Sequence, residues 1–190
     1  MPPLQAPDPP LTDGVVALRG WRPEDADQCV AALDDPDIVR WTRVPADYTH
    51  EDYTAFLERS AAQRAAGEGI SLLVVDAEDH DRVLGSAGLH EVHSARPDIG
   101  YWVARDARGR GVAPRAARLL RDWAVEVLGL PRVEVLVHPE NTASQRVAVK
   151  AGFHRTGEYR PSPRREPGED PPDLVVFSWP EDSGAGAGAG

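Results

Sequence analysis

The stretch Ile99-Gly100-Tyr101-Trp102-Val103-Ala104-Arg105-Asp106-Ala107-Arg108-Gly109-Arg110-Gly111-Val112-Ala113 decides how the rest of the chain is read. It opens as a short strand over residues 99–103 and closes by entering a helix over residues 113–128. That helix carries Ala116, Leu120, Trp123, Ala124 and Val127 as an apolar stripe, and Gly129 supplies its stop. Between strand and helix, Gly109 and Gly111 let the backbone turn tightly and approach a ligand with no side chain in the way. A helix start presents unpaired N–H groups and a partial positive charge, which together suit phosphate. Arg105, Arg108, Arg110, Arg115, Arg118 and Arg121 gather here, in a chain whose net charge is −10. The same residues also describe a plain strand-to-helix turn, with arginine serving as a helix former on a solvated face. Two nucleotide motifs are excluded. No Gly-Lys-Ser/Thr follows the glycines, and Pro114 stands where the dinucleotide fingerprint needs its last glycine.

Working outward, strands and helices alternate. Residues 15–19 (VVALR) read as a strand, and Pro23 opens a helix with Glu24, Asp25 and Asp27 in its first turn. Asp34-Asp35-Pro36 stops that helix. Thr49 with Asp52 forms a capping box ahead of Tyr53, Phe56 and Leu57, and Gly67 and Gly69 end that helix. Residues 70–75 and 83–91 form a hairpin across the polar turn 77–81. Downstream come a strand at 133–137, a helix at 143–151 and a last strand at 174–177. This order predicts an α/β fold with a mixed sheet and helices on both faces. The expected organisation is one domain over residues 14–180. A proline-rich tail (1–13) and a Gly/Ala-rich tail (181–190) are expected to be disordered, since neither holds enough apolar surface to offset ordering entropy. Residues 161–172 (PSPRREPGEDPP) contain five prolines and read as a long surface loop, either a lid or an idle insertion.

Composition removes several classes of function. The acidic balance argues against nucleic acid or an anionic membrane as partner. The single cysteine, Cys29, excludes an internal disulfide and makes no zinc site alone, so no metal is expected. No run approaches the roughly 20 apolar residues of a membrane span, and the proline-rich start lacks a secretory pattern. A cytoplasmic protein, monomer or homodimer, is expected.

Arg108, Gly111 and Ala113 match the pattern Arg/Gln-x-x-Gly-x-Gly/Ala, and the stretch resembles the pyrophosphate loop of the GNAT acetyltransferase superfamily. Several further segments resemble the branch that includes the ribosomal-protein N-terminal acetyltransferases. These are Asp98-Ile99-Gly100-Tyr101-Trp102-Val103, Gly85-Ser86-Ala87-Gly88-Leu89-His90, Asn141-Thr142-Ala143-Ser144-Gln145-Arg146-Val147, and Lys150-Ala151-Gly152-Phe153. The resemblance covers residues 15–179. It implies a GNAT-type mixed, mostly antiparallel sheet flanked by helices on both faces, with acetyl-CoA as acyl donor and an amine as acceptor. By the same resemblance, the main chain of Tyr101, Trp102 and Val103 pairs with pantetheine and the acetyl carbonyl. Arg108, Gly109, Arg110, Gly111, Val112, Ala113 and Pro114 cradle the pyrophosphate. Asn141 holds the pantetheine arm, and Ser144 lies near the sulfur.

Other readings stand beside these. The side chains of Tyr101 and Trp102 are expected in the core, and Asn141 and Ser144 are also favoured helix caps. Many superfamily members carry a tyrosine as acid seven positions after the asparagine. Here that position is Ala148, which leaves Ser144 as the replacement. For the base, Asp98 and Glu91 flank the site, with His90 adjacent; strand alternation would send His90 and Glu91 to opposite faces. A water relay without a single base is the other arrangement. Glu134, inside a strand, is expected to pair with an arginine rather than to take part in catalysis. The expected function is acetyl transfer from acetyl-CoA to a primary amine, on a protein N-terminus or a small molecule, by direct attack on the thioester. The alternative is a non-catalytic acyl-CoA sensor or scaffold.

Overall fold

The computed structural model describes residues 2–162 and 172–181. Its strands are β1 (Leu11–Thr12), β2 (Val16–Arg19), β3 (Ile70–Asp76), β4 (Val83–His90), β5 (Asp98–Val103), β6 (Val133–Val137), β7 (His154–Arg160) and β8 (Leu174–Trp179). Its α-helices are α1 (Ala26–Leu33), α2 (Pro36–Trp41), α3 (His50–Ala66), α4 (Val112–Glu126) and α5 (Thr142–Lys150). The strands form one sheet in the order β1-β2-β3-β4-β5-β6-β8-β7. Every neighbouring pair is antiparallel except β5 and β6, which run parallel. This is the mixed, mostly antiparallel sheet that the resemblance implied.

Strand alternation distributes the core to both faces. Leu18, Leu72, Val74, Ala87, Leu89 and Ile99 pack with Ala116, Ala117, Leu120 and Ala124 of α4. The intervening Ala17, Leu73 and Val75 meet Cys29 of α1 and Tyr53 of α3 on the other face. A sheet covered on both sides explains why β2, β3 and β4 read as near-continuous apolar runs. Burial also pushes the Cys29 thiol up to about 12, so that it packs as a small apolar group instead of offering a thiolate.

Three expectations change. The proline-rich start is ordered against the domain: Leu4 is buried, its N–H donates to the Arg64 carbonyl at 2.9 Å, and β1 pairs with β2. Prolines restrict the unfolded chain, which lowers the entropy lost on ordering, and Leu4 adds apolar burial. Asp34-Asp35-Pro36 ends α1 but also begins α2. Pro36 stands at a first-turn position and the Asp35 carboxylate accepts from the Asp37 N–H at 3.0 Å. β7 is a further strand, mostly exposed at the sheet edge, with no apolar alternation to announce it. The lid or insertion expected at 161–172 lies mostly outside the described residues, as does most of the Gly/Ala-rich end. No helix among the described residues is long and apolar enough to cross a membrane.

Candidate functional site

The site is built around the parallel pair. β5 and β6 share a register only at Asp98↔Glu134, reinforced by the Glu134 N–H donating to the Pro97 carbonyl at 2.9 Å. Past that point the ladder stops, so residues 100–103 have β4 on one side and no β6 partner on the other. The Tyr101 main chain and the Val103 N–H face that side and are available to a ligand entering the gap. The Trp102 main chain, also expected to meet the ligand, instead faces β4, in step with the Ala104 N–H that donates to the Leu84 carbonyl at 2.9 Å. The closed end of the gap is held by charge. Glu134 is fully buried, and its carboxylate accepts from Arg96 at 2.8 Å, Arg132 at 2.9 Å and Arg160 at 3.1 Å. The expected arginine partner of Glu134 is therefore three arginines drawn from separate segments.

At the open end lies the glycine loop. Gly109 and Gly111 adopt φ of 76° and 78°, the left-handed region that disfavours side chains. Gly111 is also the N-cap of α4, and no side chain caps that helix. A Cβ on Gly109 would meet nothing within 4 Å, and one on Gly111 only the Arg115 Nε at 3.8 Å. The space above the loop is thus open to something larger than a methyl group, beside the unpaired N–H groups of a helix start.

The arginines around this loop are less free than their number suggests. Arg105 and Arg108 both bind the buried Asp35 carboxylate, at 3.2 and 2.7 Å, and Arg108 also reaches Asp37 at 3.3 Å and the Val103 carbonyl at 3.2 Å. Those guanidinium groups, Arg105 foremost, hold the Asp35 carboxyl below its ordinary range. Arg115 pairs with Asp13 at 2.7 Å, Arg118 donates to the Lys150 carbonyl, and Arg121 binds Asp122 and the Ala151 carbonyl. Arg110 has no ion pair among the described residues. The opposite end of α2 meets the loop after β6: the Trp41 ring lies 5.1 Å from the His138 ring, and Arg40 stands 3.6 Å from Glu140. Helix α2 therefore spans the open end of the gap, tied to the β5 side by aspartates and to the β6 side by Trp41 and Arg40. The sequence reading placed Asp35 only in a helix stop and gave Asp35, Asp37 and Trp41 no part in the site. The available signal was Asp35-Pro36-Asp37, a helix start hidden in what reads as a helix stop.

Alternation along β5 separates two groups of polar side chains. Tyr101 points to the α4–α5 face, where its hydroxyl lies 2.9 Å from Ser144 Oγ and donates to the Ser144 carbonyl at 3.3 Å. Its ring packs against the core as expected, but its hydroxyl has this further partner. Burial pushes the Tyr101 hydroxyl up to about 12 against the opposing effect of the Ser144 contact. The Asn141 side chain accepts from the Ser144 N–H at 3.0 Å, the capping geometry its residue type favours. Ala148 is fully buried.

Asp98 and Trp102 alternate with Tyr101 and so belong to the opposite face. Asp98 stands across from His90 in the β4–β5 register. The His90 ring lies over Gly88 and Gly100, where an added Cβ would come within 3.0 and 3.4 Å of it. Burial, aided by Arg43, lowers His90 to about 4, so the imidazole is neutral at ordinary pH. Burial raises Asp98 to about 6; Glu91 and Glu134 add to the rise, while Arg160 and Arg43 oppose it. Glu91 sits just past β4 at φ 51°, so simple alternation does not govern it, and its carboxylate lies 3.6 Å from Arg160. The structure thus groups Asp98, His90 and Glu91 near the closed end of the gap, and Tyr101 with Ser144 across β5. Among the described residues, no cluster of His, Cys, Asp and Glu has the makings of a metal site.

Residues 16–154 match the family model of the acetyltransferase (GNAT) domain. The chain is 26% identical over 149 residues to the uncharacterized N-acetyltransferase p20 of Bacillus licheniformis, covering 76% of this chain and 82% of that protein. Its fold superposes on Mycobacterium smegmatis RimJ in complex with CoA-disulfide, with a TM-score of 0.74 and 24% identity, covering 93% of this chain and 84% of that one. A similar match is the ribosomal-protein-S5-alanine acetyltransferase of Vibrio fischeri, with a TM-score of 0.71, 20% identity and coverage of 92% and 97%.

Proposed function

The chain belongs to the GNAT acetyltransferase family, and on that premise we propose that it transfers an acetyl group from acetyl-CoA to a primary amine by direct attack on the thioester. One observation carries this reading. The gap that begins at Asp98↔Glu134 opens toward an uncapped helix start bearing two left-handed glycines. A thioester with a long polar arm and a pyrophosphate matches both ends of that gap.

In this reading, residues 109–114 receive the pyrophosphate. Val112 and Ala113 offer main-chain N–H groups, Pro114 has none to offer, and Arg110 supplies free positive charge. Arg108 acts from behind, holding the turn through Asp35 and the Val103 carbonyl. The Tyr101 main chain and the Val103 N–H pair with pantetheine and polarise the acetyl carbonyl, with Asn141 along the arm. The acceptor approaches from the Asp98 face. Asp98, ionised above about pH 6, takes the amine proton directly or through a water, and Glu91 draws the cationic amine inward. The carbon–sulfur bond breaks with its electron pair going to sulfur, which departs on the Ser144 face. Donor and acceptor then enter from opposite sides of β5, as alternation of its side chains requires. The acceptor is an N-terminal amine of a protein or an amine of a small molecule.

The test is CoA release from acetyl-CoA, followed by thiol detection, against a panel of N-terminal peptides, polyamines and aminated small molecules. Amine-dependent release with N-acetylated product supports the reading. Tight CoA binding without release from any amine would instead favour a sensor or scaffold.

A further inference from the structure

We propose that Tyr101 is a positioning residue for acyl transfer: its hydroxyl orients the Ser144 hydroxyl so that the Ser144 proton points at the departing sulfur. The proposal rests on the reading above that Ser144 faces the sulfur. It starts from a mismatch in the chemistry. A thiolate leaves on the α5 side, yet Ala148 supplies no hydroxyl where that helix would otherwise present an acid, and a lone serine hydroxyl is free to rotate away. The fold brings a second hydroxyl to the spot from another element. Tyr101 on β5 and Ser144 on α5 are 43 residues apart in the chain and 2.9 Å apart at their hydroxyl oxygens.

Two proton arrangements fit those distances. In one, Tyr101 donates to the Ser144 carbonyl at 3.3 Å while Ser144 donates to Tyr101. In the other, Tyr101 donates to Ser144 Oγ, and the Ser144 proton is turned outward. The two differ only in hydroxyl rotation, with no heavy atom moved. A developing negative charge on sulfur selects the second arrangement, because it is the one with a donor to give. The chain Tyr101 O–H to Ser144 O–H to sulfur then polarises along its length, making the serine a stronger donor than it is alone. No proton leaves Tyr101. Its hydroxyl, held near 12 by burial, is a weaker acid than a thiol, so sulfur departs as a hydrogen-bonded thiolate and is protonated later from water. The β5 main chain and the ring's core contacts fix the tyrosine, so its orientation does not depend on the ligand.

Tyr101→Phe removes one oxygen and keeps the ring. The expected result is a kcat lower by up to about tenfold, the worth of one hydrogen bond between neutral hydroxyls, with the KM for acetyl-CoA changed less than about twofold. Ser144→Ala should cost more, and Tyr101→Phe added to it should cost little further. A readout independent of turnover is the thiol of bound CoA, titrated by thiolate absorbance. Its pKa should be lower in the wild-type complex than in Tyr101→Phe. Thermal melting checks that all three variants fold. Wild-type kcat and an unchanged bound-thiol pKa in a folded Tyr101→Phe protein would overturn the proposal alone, as would losses that multiply fully in the double variant. Failure of the wild-type protein to bind CoA or release it from acetyl-CoA would overturn the underlying reading instead.

Discussion

Asp98→Asn should make the protein more stable and less active at neutral pH. In the folded chain this carboxyl is raised from 3.8 to about 6, chiefly by burial, with Glu91 and Glu134 adding repulsion that Arg160 and Arg43 do not cancel. The neutral ring of His90 faces it across the register and contributes no positive charge. At 1.36 kcal/mol per pH unit, the rise corresponds to about 3 kcal/mol at most. A carboxyl raised on folding favours the folded state below the unfolded pKa, and that contribution is lost as pH climbs through about 6. Ionised Asp98 therefore weakens the fold at pH 7. Asparagine has no charge to desolvate, so the variant should gain up to about 3 kcal/mol at pH 7 and lose the advantage near pH 4. Urea unfolding of both proteins at several pH values measures this directly. If Asp98 takes the amine proton, wild-type kcat/KM should rise through an apparent pKa near 6, and the variant should lose about 100-fold or more in rate together with that rise. A variant less stable than wild type at pH 7, or one with the wild-type pH profile, would refute the reasoning.

Gly111→Asp places a carboxylate where the pyrophosphate is expected, at a φ of 78° that aspartate tolerates at a cost of about 1 kcal/mol. Calorimetry should find acetyl-CoA binding at least about tenfold weaker in a folded protein. Glu134→Gln removes the charge that three arginines share in the interior and should cost about 3 kcal/mol, read from denaturant midpoints. Asp35→Asn releases Arg105 and Arg108 from their common partner. We expect the KM for acetyl-CoA to rise severalfold in steady-state assays as the loop loosens, while kcat changes less.

Much of the architecture is legible locally. The apolar stripe of α4, the capping box Thr49/Asp52 and the β3–β4 hairpin each announce themselves within a few residues, because local pattern and tertiary role agree. What the sequence hides is of three kinds. Pro36 both ends one helix and begins the next, and the residue type alone does not choose between the roles. β7 is a polar edge strand that buries little of itself, so it carries no period to detect. The N-terminal stretch has a disordered composition, yet a buried leucine, a backbone bond to α3 and the pairing of β1 with β2 seat it.

The candidate site divides in the same way. The glycine loop is legible because its requirement is on the backbone of consecutive residues. The meeting of Glu134 with Arg96 and Arg160, the clasp of Asp35 on two loop arginines and the contact of Tyr101 with Ser144 are all products of tertiary arrangement. The parallel β5–β6 crossover puts distant segments side by side, and no spacing rule within the chain foretells which side chains then meet. The raised pKa of Asp98 belongs to this class, since its charged neighbours come from the turn after β4, from β6, from β7 and from the segment after α2.

The central claim is that acetyl-CoA occupies the gap where β5 parts from β6. Amide hydrogen exchange with and without acetyl-CoA tests it residue by residue, without requiring the acceptor to be known. The account predicts new protection at Tyr101 and Val103, whose N–H groups face the gap, and in the loop Gly109-Arg110-Gly111-Val112-Ala113, with β1 to β3 unchanged. Binding that protects the segment around Leu4 or the α1–α3 face, and leaves those β5 and loop amides exchanging as before, would contradict it.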